Sequence, residues 1–147
     1  MSDAAAIADA ADKIRAHFGR DPSYILNAAG IASGQTLLDT PRAFVEKVWR
    51  VNSFSQVLIA QQFLPAIIAK GHGHFLSIAS GASYAALPQM GPYAASKAYA
   101  LAFHEVLSGE LRTRYGPKAR KVRNSLFCPT KVATGLGETM VSARVVR

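Results

Sequence analysis

The stretch FLSIASGASYAALPQMGPYAASK, residues 75–97, holds a strand, a loop and the start of a helix in that order. Phe75-Leu76-Ser77-Ile78-Ala79 is a short apolar run between Gly73 and Gly81, the length and composition of a buried parallel strand. Residues 81–91 are small residues punctuated by Gly81, Pro88 and Gly91, which predicts a loop. Pro92 is placed to open a helix, whose apolar positions run through Leu101, Phe103, Val106, Leu107 and Leu111 and stop at Gly116-Pro117. A strand that passes through a loop into a long helix is the first part of a crossover connection.

The same alternation extends in both directions. Downstream, Val122 to Phe127 reads as a third strand, ended by Pro129. Upstream, Thr40-Pro41 starts a long helix or two joined ones, with a capping hydroxyl and a proline at the first helical position, running through Phe44, Val48 and Val51 to Ile68. Pro65 is expected to kink or shorten it, and Gly71 to end it. Tyr24-Ile25-Leu26, between Asp21-Pro22 and Ala29-Gly30, is too short for a helix and fits a strand. Asp3 to Phe18 has Ile7, Ala10, Ala11, Ile14 and Phe18 on one stripe, with Ser2 and Gly19 as candidate caps. Helix and strand thus alternate along residues 1–147 as one domain, without repeat or linker. The pattern predicts an α/β fold with a parallel sheet of three strands and flanking helices. Ligands in such sheets sit beyond the carboxyl ends of the strands, which directs attention to Asn27 to Gly30, Ser80 to Ser83 and Cys128 to Thr134.

With 147 residues, half of them apolar, the chain can bury a core. The N-terminal segment is interrupted by Asp3, Asp9, Asp12, Lys13 and Arg15, unlike a signal peptide or a membrane span, so a soluble cytoplasmic protein is expected. The single cysteine, Cys128, reads as a small buried apolar residue beside a strand end. Of the formal charge of +8, much lies in Arg112, Arg114, Lys118, Arg120, Lys121 and Arg123. That cluster reads as a solvated helix end; it includes only Tyr115 as a stacking aromatic and matches no nucleic-acid motif, so no nucleic acid is expected, and a membrane surface has no specific support. His72 and His74 lack a third ligand nearby, and no metal site is expected.

Tyr93 and Lys97 lie four apart near the start of the predicted helix and share a face. A phenol of ordinary pKa near 10 is a poor base at neutral pH, but an adjacent ammonium favours the phenolate, so this pair could move a proton. Ser80, at the end of the preceding strand, could hold a carbonyl or alkoxide oxygen during that transfer. The Ala-rich text around them, with Ala82, Ala85, Ala86, Leu87 and Met90, points to an apolar substrate pocket.

Tyr93-Ala94-Ala95-Ser96-Lys97 resembles the Tyr-x-Ala-Ser-Lys signature of the short-chain dehydrogenase/reductase family, with Ser80 at the spacing of that family's catalytic serine. Three further segments match in order. Asn27-Ala28-Ala29-Gly30 is similar to the family's Asn-Asn-Ala-Gly turn, Val51-Asn52 to its catalytic asparagine, and Pro129 to Thr134 to its Pro-Gly-x-x-x-Thr segment. The resemblance implies a Rossmann-like doubly wound sheet, a nicotinamide cofactor, NAD or NADP, and alcohol/carbonyl interconversion by hydride transfer on a small apolar substrate. By position it implies Asn52 supporting a water in a proton relay, Ser80 orienting the substrate, Tyr93 as acid/base, and Lys97 also binding the nicotinamide ribose. Asn27, Ala29, Gly30, Pro129 and Thr134 would lie along the cofactor. The family also commonly pairs its long helices in dimers.

Ala28 and Thr130 depart mildly from the family pattern, and Ser83 is a rival for Ser80, less firmly held because it lies in the loop. The larger departure is the lack of a Gly-x-x-x-Gly-x-Gly turn between a strand and a helix, where the cofactor's pyrophosphate would bind. Gly71-His72-Gly73 precedes a strand and reads as a helix stop. The chain therefore resembles a member without its first three strands and its tail. Weak cofactor binding and an open edge at Tyr24 to Leu26 follow. A second reading is a catalytically silent remnant that pairs with a full-length relative.

Overall fold

The computed structural model describes residues 3–130. Helix α1 (Ala4–Phe18) is capped by Asp3, whose carboxylate accepts the Ala5 N–H at 2.9 Å, and ends on Gly19 in the left-handed conformation. Asp3 thus does the work expected of Ser2, which lies outside the described residues. Strand β1 spans Tyr24–Asn27.

Helix α2 (Arg42–Val48) starts one residue after the expected position. Pro41 is its cap, and the Thr40 hydroxyl donates back to the Thr36 carbonyl instead of capping. The helix continues without a break into a π-helical segment, Trp49–Phe54, and then α3 (Ser55–Lys70). Pro65 neither ends nor shortens α3. It lies on an exposed position, where the Gln61 carbonyl it leaves without an amide partner can be hydrated. Gly71, at φ +64°, closes the helix as expected.

Strand β2 (His74–Ile78) leads through Ser80 into a 3₁₀ turn, Gly81–Ser83, inside the expected loop. Helix α4 (Gly91–Thr113) has Pro92 in its first turn. A short helix α5 (Gly116–Ala119), which the sequence reading did not expect, precedes β3 (Arg123–Phe127).

The three strands are parallel in the order β1-β2-β3, with Tyr24 beside His74 and His74 beside Arg123. The α/β class and the parallel sheet are as expected. Phe75, fully buried, joins Ile25 in a core with Ile7 and Ala11 of α1, Phe63 and Ile67 of α3, and Leu107 and Leu111 of α4. All these helices therefore stack on one face of the sheet. The register puts Tyr24, Leu26, Leu76, Ile78 and Phe127 on the other face. No described helix covers it: Tyr24 is 68%, Leu26 65% and Phe127 57% exposed. No described helix is long and apolar enough to cross a membrane.

Candidate active site

The carboxyl ends of the strands bring four sequence-distant segments together. Tyr93 and Lys97 occupy the first two turns of α4, both buried, with the Lys97 Nζ 5.7 Å from the centroid of the Tyr93 ring. The ammonium donates to the Ile78 carbonyl at 2.8 Å, the last residue of β2. Gly30, in the turn after β1, approaches from the other side. A β-carbon there would lie 3.4 Å from the Lys97 Nζ and 3.8 Å from the Asn52 Oδ1, so any larger side chain would crowd the ammonium.

Asn52 is fixed on every side. Its Oδ1 accepts the Ile31 N–H at 2.9 Å, and its Nδ2 donates to the Ile31 carbonyl and to the Ser96 Oγ, each at 2.9 Å. Its backbone carbonyl accepts from the Gln56 side chain at 2.6 Å. Asn52 therefore clamps the turn that follows β1 to the helix that carries Tyr93. The π-helical segment makes this placement: the Ser55 N–H bonds to the Arg50 carbonyl five residues back, so one extra residue is accommodated around Asn52.

Ser96 completes the clamp and was missed as a site residue by the sequence reading. Fully buried, it receives Asn52 and donates to the Tyr93 carbonyl at 2.7 Å. Its signal was present: a hydroxyl three residues after Tyr93 on a helix can bond back to that carbonyl. Removing it in Ser96→Ala leaves a buried amide hydrogen of Asn52 unpaired. The expected loss is about 1–3 kcal/mol of unfolding free energy, read by urea denaturation.

The two serines are both engaged. Ser80 lies just past β2, between two further backbone bonds of the β2–β3 ladder, Ala79 N–H to the Phe127 carbonyl and Gly81 N–H to the Pro129 carbonyl, both 2.8 Å. Its Oγ accepts the Ala82 N–H at 3.1 Å, which leaves its own O–H to donate elsewhere. Ser83 uses its O–H on the Lys97 carbonyl at 2.8 Å. Asn27 is buried at the end of β1 beside Ser77, and Ala29 and Gly30 follow, half-buried. Pro129 lines the same end through its carbonyl, with Thr130 packed near Gly81. Thr134 lies outside the described residues.

Cys128 is partly exposed, not a buried apolar residue as read from sequence. It stands one residue past β3, close enough to Tyr84 to raise that exposed phenol above its usual range, chiefly through a hydrogen bond. An apolar cavity of about 320 Å³ is lined by Ala82, Ser83, Tyr84 and Ala86 of the loop and by Gly91, Ala94, Ala95 and Ala98 of α4. Helical geometry puts Ala95 and Ala98 on the side of α4 turned away from Tyr93 and Lys97. His74 bonds through its Nε2 to the Ser125 Oγ at 2.9 Å, and His72 packs edge-on against Tyr24. No group of three potential ligands that could hold a metal occurs among the described residues.

Lys97 is 4% exposed, and burial lowers its pKa, with Cys128 acting in the opposite direction. Between the lowered folded value and the ordinary 10.5, the unfolded chain binds more protons than the folded one, so this group makes stability rise with pH through that window. Below the folded value the cost of the buried ammonium is constant. The melting temperature of the parent minus that of Lys97→Met is therefore expected to increase as pH rises towards 10.5. A flat difference across that range would refute the assignment.

This sheet, with a tyrosine–lysine pair at its carboxyl end, has clear relatives. Residues 1–144 match the family model described as short chain dehydrogenase. Dehydrogenase RED2 of Cochliobolus heterostrophus is 42% identical over 124 residues, covering 84% of this chain and 46% of that protein. Estradiol 17-beta-dehydrogenase 11 of Pongo abelii is 32% identical, over 95% of this chain and 48% of the relative. The crystal structure of a short chain dehydrogenase/reductase from Burkholderia phymatum in complex with NAD superposes with a TM-score of 0.84 at 29% identity, over 94% of this chain and 48% of that one. The chain belongs to the short-chain dehydrogenase family. It spans about half the length of these relatives.

Proposed function

We propose that this chain carries the catalytic half of a nicotinamide-dependent oxidoreductase that interconverts an alcohol and a carbonyl compound. The observation that carries the reading is the buried Lys97 ammonium, held against Tyr93 and open towards Gly30. One of its three N–H groups is taken by the Ile78 carbonyl. The other two suit the vicinal hydroxyls of a ribose, and the absence of a β-carbon at Gly30 gives that sugar room, so these residues fit the nicotinamide end of NAD or NADP.

In this reading the cofactor, when bound, supplies or accepts the hydride. The protein does the rest. Lys97 binds the ribose, and the Tyr93 hydroxyl gives a proton to a nascent alkoxide or, in the reverse direction, its conjugate base takes one from an alcohol. Ser80 donates its free O–H to the substrate oxygen. Asn52, with both side-chain groups engaged by Ile31 and Ser96, positions the turn and the helix; any support of a water belongs to groups other than its side chain. Asn27, Ala29, Pro129 and Thr134 are assigned to the flank of the cofactor. A small apolar substrate is part of the proposal, supported by relatives named for retinol and estradiol. A cytoplasmic location also belongs to it.

The sequence has no Gly-x-x-x-Gly-x-Gly turn to receive the pyrophosphate, and cofactor affinity of this chain is expected to be weak. Titration of the folded chain with NADH and NADPH, followed by fluorescence, tests the reading. Saturable binding that is weakened at least about tenfold in Lys97→Ala, a loss of about 1.4 kcal/mol, supports it. Absence of binding by the folded protein at millimolar cofactor refutes it for this chain.

A second reading is favoured by the uncovered sheet face with Tyr24, Leu26 and Phe127: a catalytically silent chain that pairs with a full-length relative. It predicts no cofactor binding by the chain alone. Mixing it with such a relative should shift sedimentation to a heavier species. Pairing of two copies through the long helices is the corresponding proposal for the active form.

A further inference from the structure

The three strands start, and helices α1, α3 and α4 end, at the pole of the molecule opposite Lys97 and Gly30. Hydrogen bonds tie this pole together: Lys70 Nζ to the Asp21 carbonyl at 2.8 Å, Lys118 Nζ to the Ala69 carbonyl at 2.9 Å, and Arg120 Nε to the Arg112 carbonyl at 3.2 Å. Arg112, Arg114, Lys118, Arg120, Lys121 and Arg123 are all exposed there, as are Arg20 and Lys70. Among the described residues, the acidic side chains there are Asp21, paired with Arg15, and Glu110, which accepts from the Tyr115 hydroxyl.

One reason for basic residues at such a place is local. The carboxyl end of each helix carries roughly half a negative charge, about 1.5 in all for three helices. Eight basic against two acidic side chains leaves a surplus near six, which exceeds that requirement several-fold. The surplus also accounts for most of the chain's formal charge of +8. Exposed aromatic rings border the same pole: Phe18 at the end of α1, Tyr24 at the start of β1 and Tyr115 after α4.

We propose that this pole is a docking face for an anionic phospholipid surface, with the end that holds Lys97 and Gly30 directed away from the membrane. The charge surplus supplies long-range attraction to acidic headgroups. Rings at the rim of a basic face suit the headgroup layer, where aromatic side chains partition. A nucleic acid is the less fitting polyanion: of the three rings only Tyr115 lies within the run of basic residues, which is too few for a stacking track. The inference is independent of the assignment of a cofactor or substrate.

Co-sedimentation with vesicles tests it. The folded chain should bind phosphatidylcholine vesicles containing about 30% phosphatidylserine and not those of phosphatidylcholine alone. Raising salt from about 0.05 to about 0.5 M should weaken the binding at least tenfold, and this arm needs no variant. The combined Arg114→Glu, Lys121→Glu and Arg123→Glu protein, with its fold confirmed by circular dichroism, should lose at least tenfold in affinity. Equal binding to neutral vesicles, no binding to acidic ones, or binding unaffected by the three substitutions overturns the proposal. So does tighter binding to a short DNA duplex or single-stranded RNA than to acidic vesicles at the same salt.

Discussion

Tyr93→Phe is expected to bind NADH or NADPH as the parent does and to turn over a carbonyl substrate about 10²–10⁴-fold more slowly. The substitution removes one oxygen and leaves the ring against Lys97 in place, so the ribose site, the Asn52–Ser96 clamp and the first turn of α4 keep their contacts. What disappears is the group assigned to carry the proton. The parent's turnover with a panel of apolar aldehydes and ketones, followed as loss of reduced-cofactor absorbance, gives the reference. Matched cofactor affinity with collapsed turnover assigns proton transfer to Tyr93. Unchanged turnover would remove Tyr93 from the chemistry, and parallel loss of affinity and turnover would make its role structural.

The largest effect on stability is expected from Gly73→Ala. At φ +150° this residue adopts a backbone conformation that side chains rarely share. A β-carbon would also run into the Ser23 carbonyl and come within 2.7 Å of the Ile67 Cγ2. Neither neighbour is free to retreat. The Ser23 carbonyl accepts the His74 N–H at 2.8 Å, the Gly73 carbonyl accepts the Arg123 N–H at 2.9 Å, and Ile67 is fully buried. One glycine thus sets the start of both strand pairs. The substitution should destabilise by more than about 3 kcal/mol, a sum of backbone strain and overpacking, or prevent folding at ambient temperature. Gly19→Ala provides the contrast, because a β-carbon there meets nothing within 4 Å and only the left-handed φ of +63° is strained. Denaturation midpoints for the two variants separate steric collision from conformational preference; equal, small losses would refute the account of Gly73.

The sequence made the alternation of helix and strand readable because each switch is punctuated: Gly71 before β2, Gly81 after it, Pro92 at the start of α4. The Tyr93–Lys97 pair was readable for a similar reason, since spacing on a helix fixes which side chains meet. Assembly of the site from Gly30, Asn52 and Ser96 depended on tertiary contacts that no local pattern encodes. The π-helical segment around Asn52 has no residue-type signature, and Trp49 to Phe54 reads as ordinary helix. Pro65 does not shorten α3, because the cost of an internal proline depends on whether the freed carbonyl can be hydrated, and here the proline lies at an exposed position. The strand at Tyr24 is apolar on both faces, which predicts burial on both; the structure covers only the face of Ile25. The mismatch identifies the other face as a surface that this sequence is suited to bury.

The widened turn at Trp49–Phe54 also sets the angular phase between the two ends of one long helix. A single added residue in an α-helix rotates everything beyond it by about 100°. Upstream of the turn, α2 meets α4; downstream, α3 meets α1 and α5. The same sequence wound as an uninterrupted α-helix, with no widened turn to absorb the extra residue, could present the proper stripe to one set of neighbours but not to both. The π-turn therefore acts as a phase shifter, reconciling the register of the core with that of the site and placing Asn52 where the two registers meet.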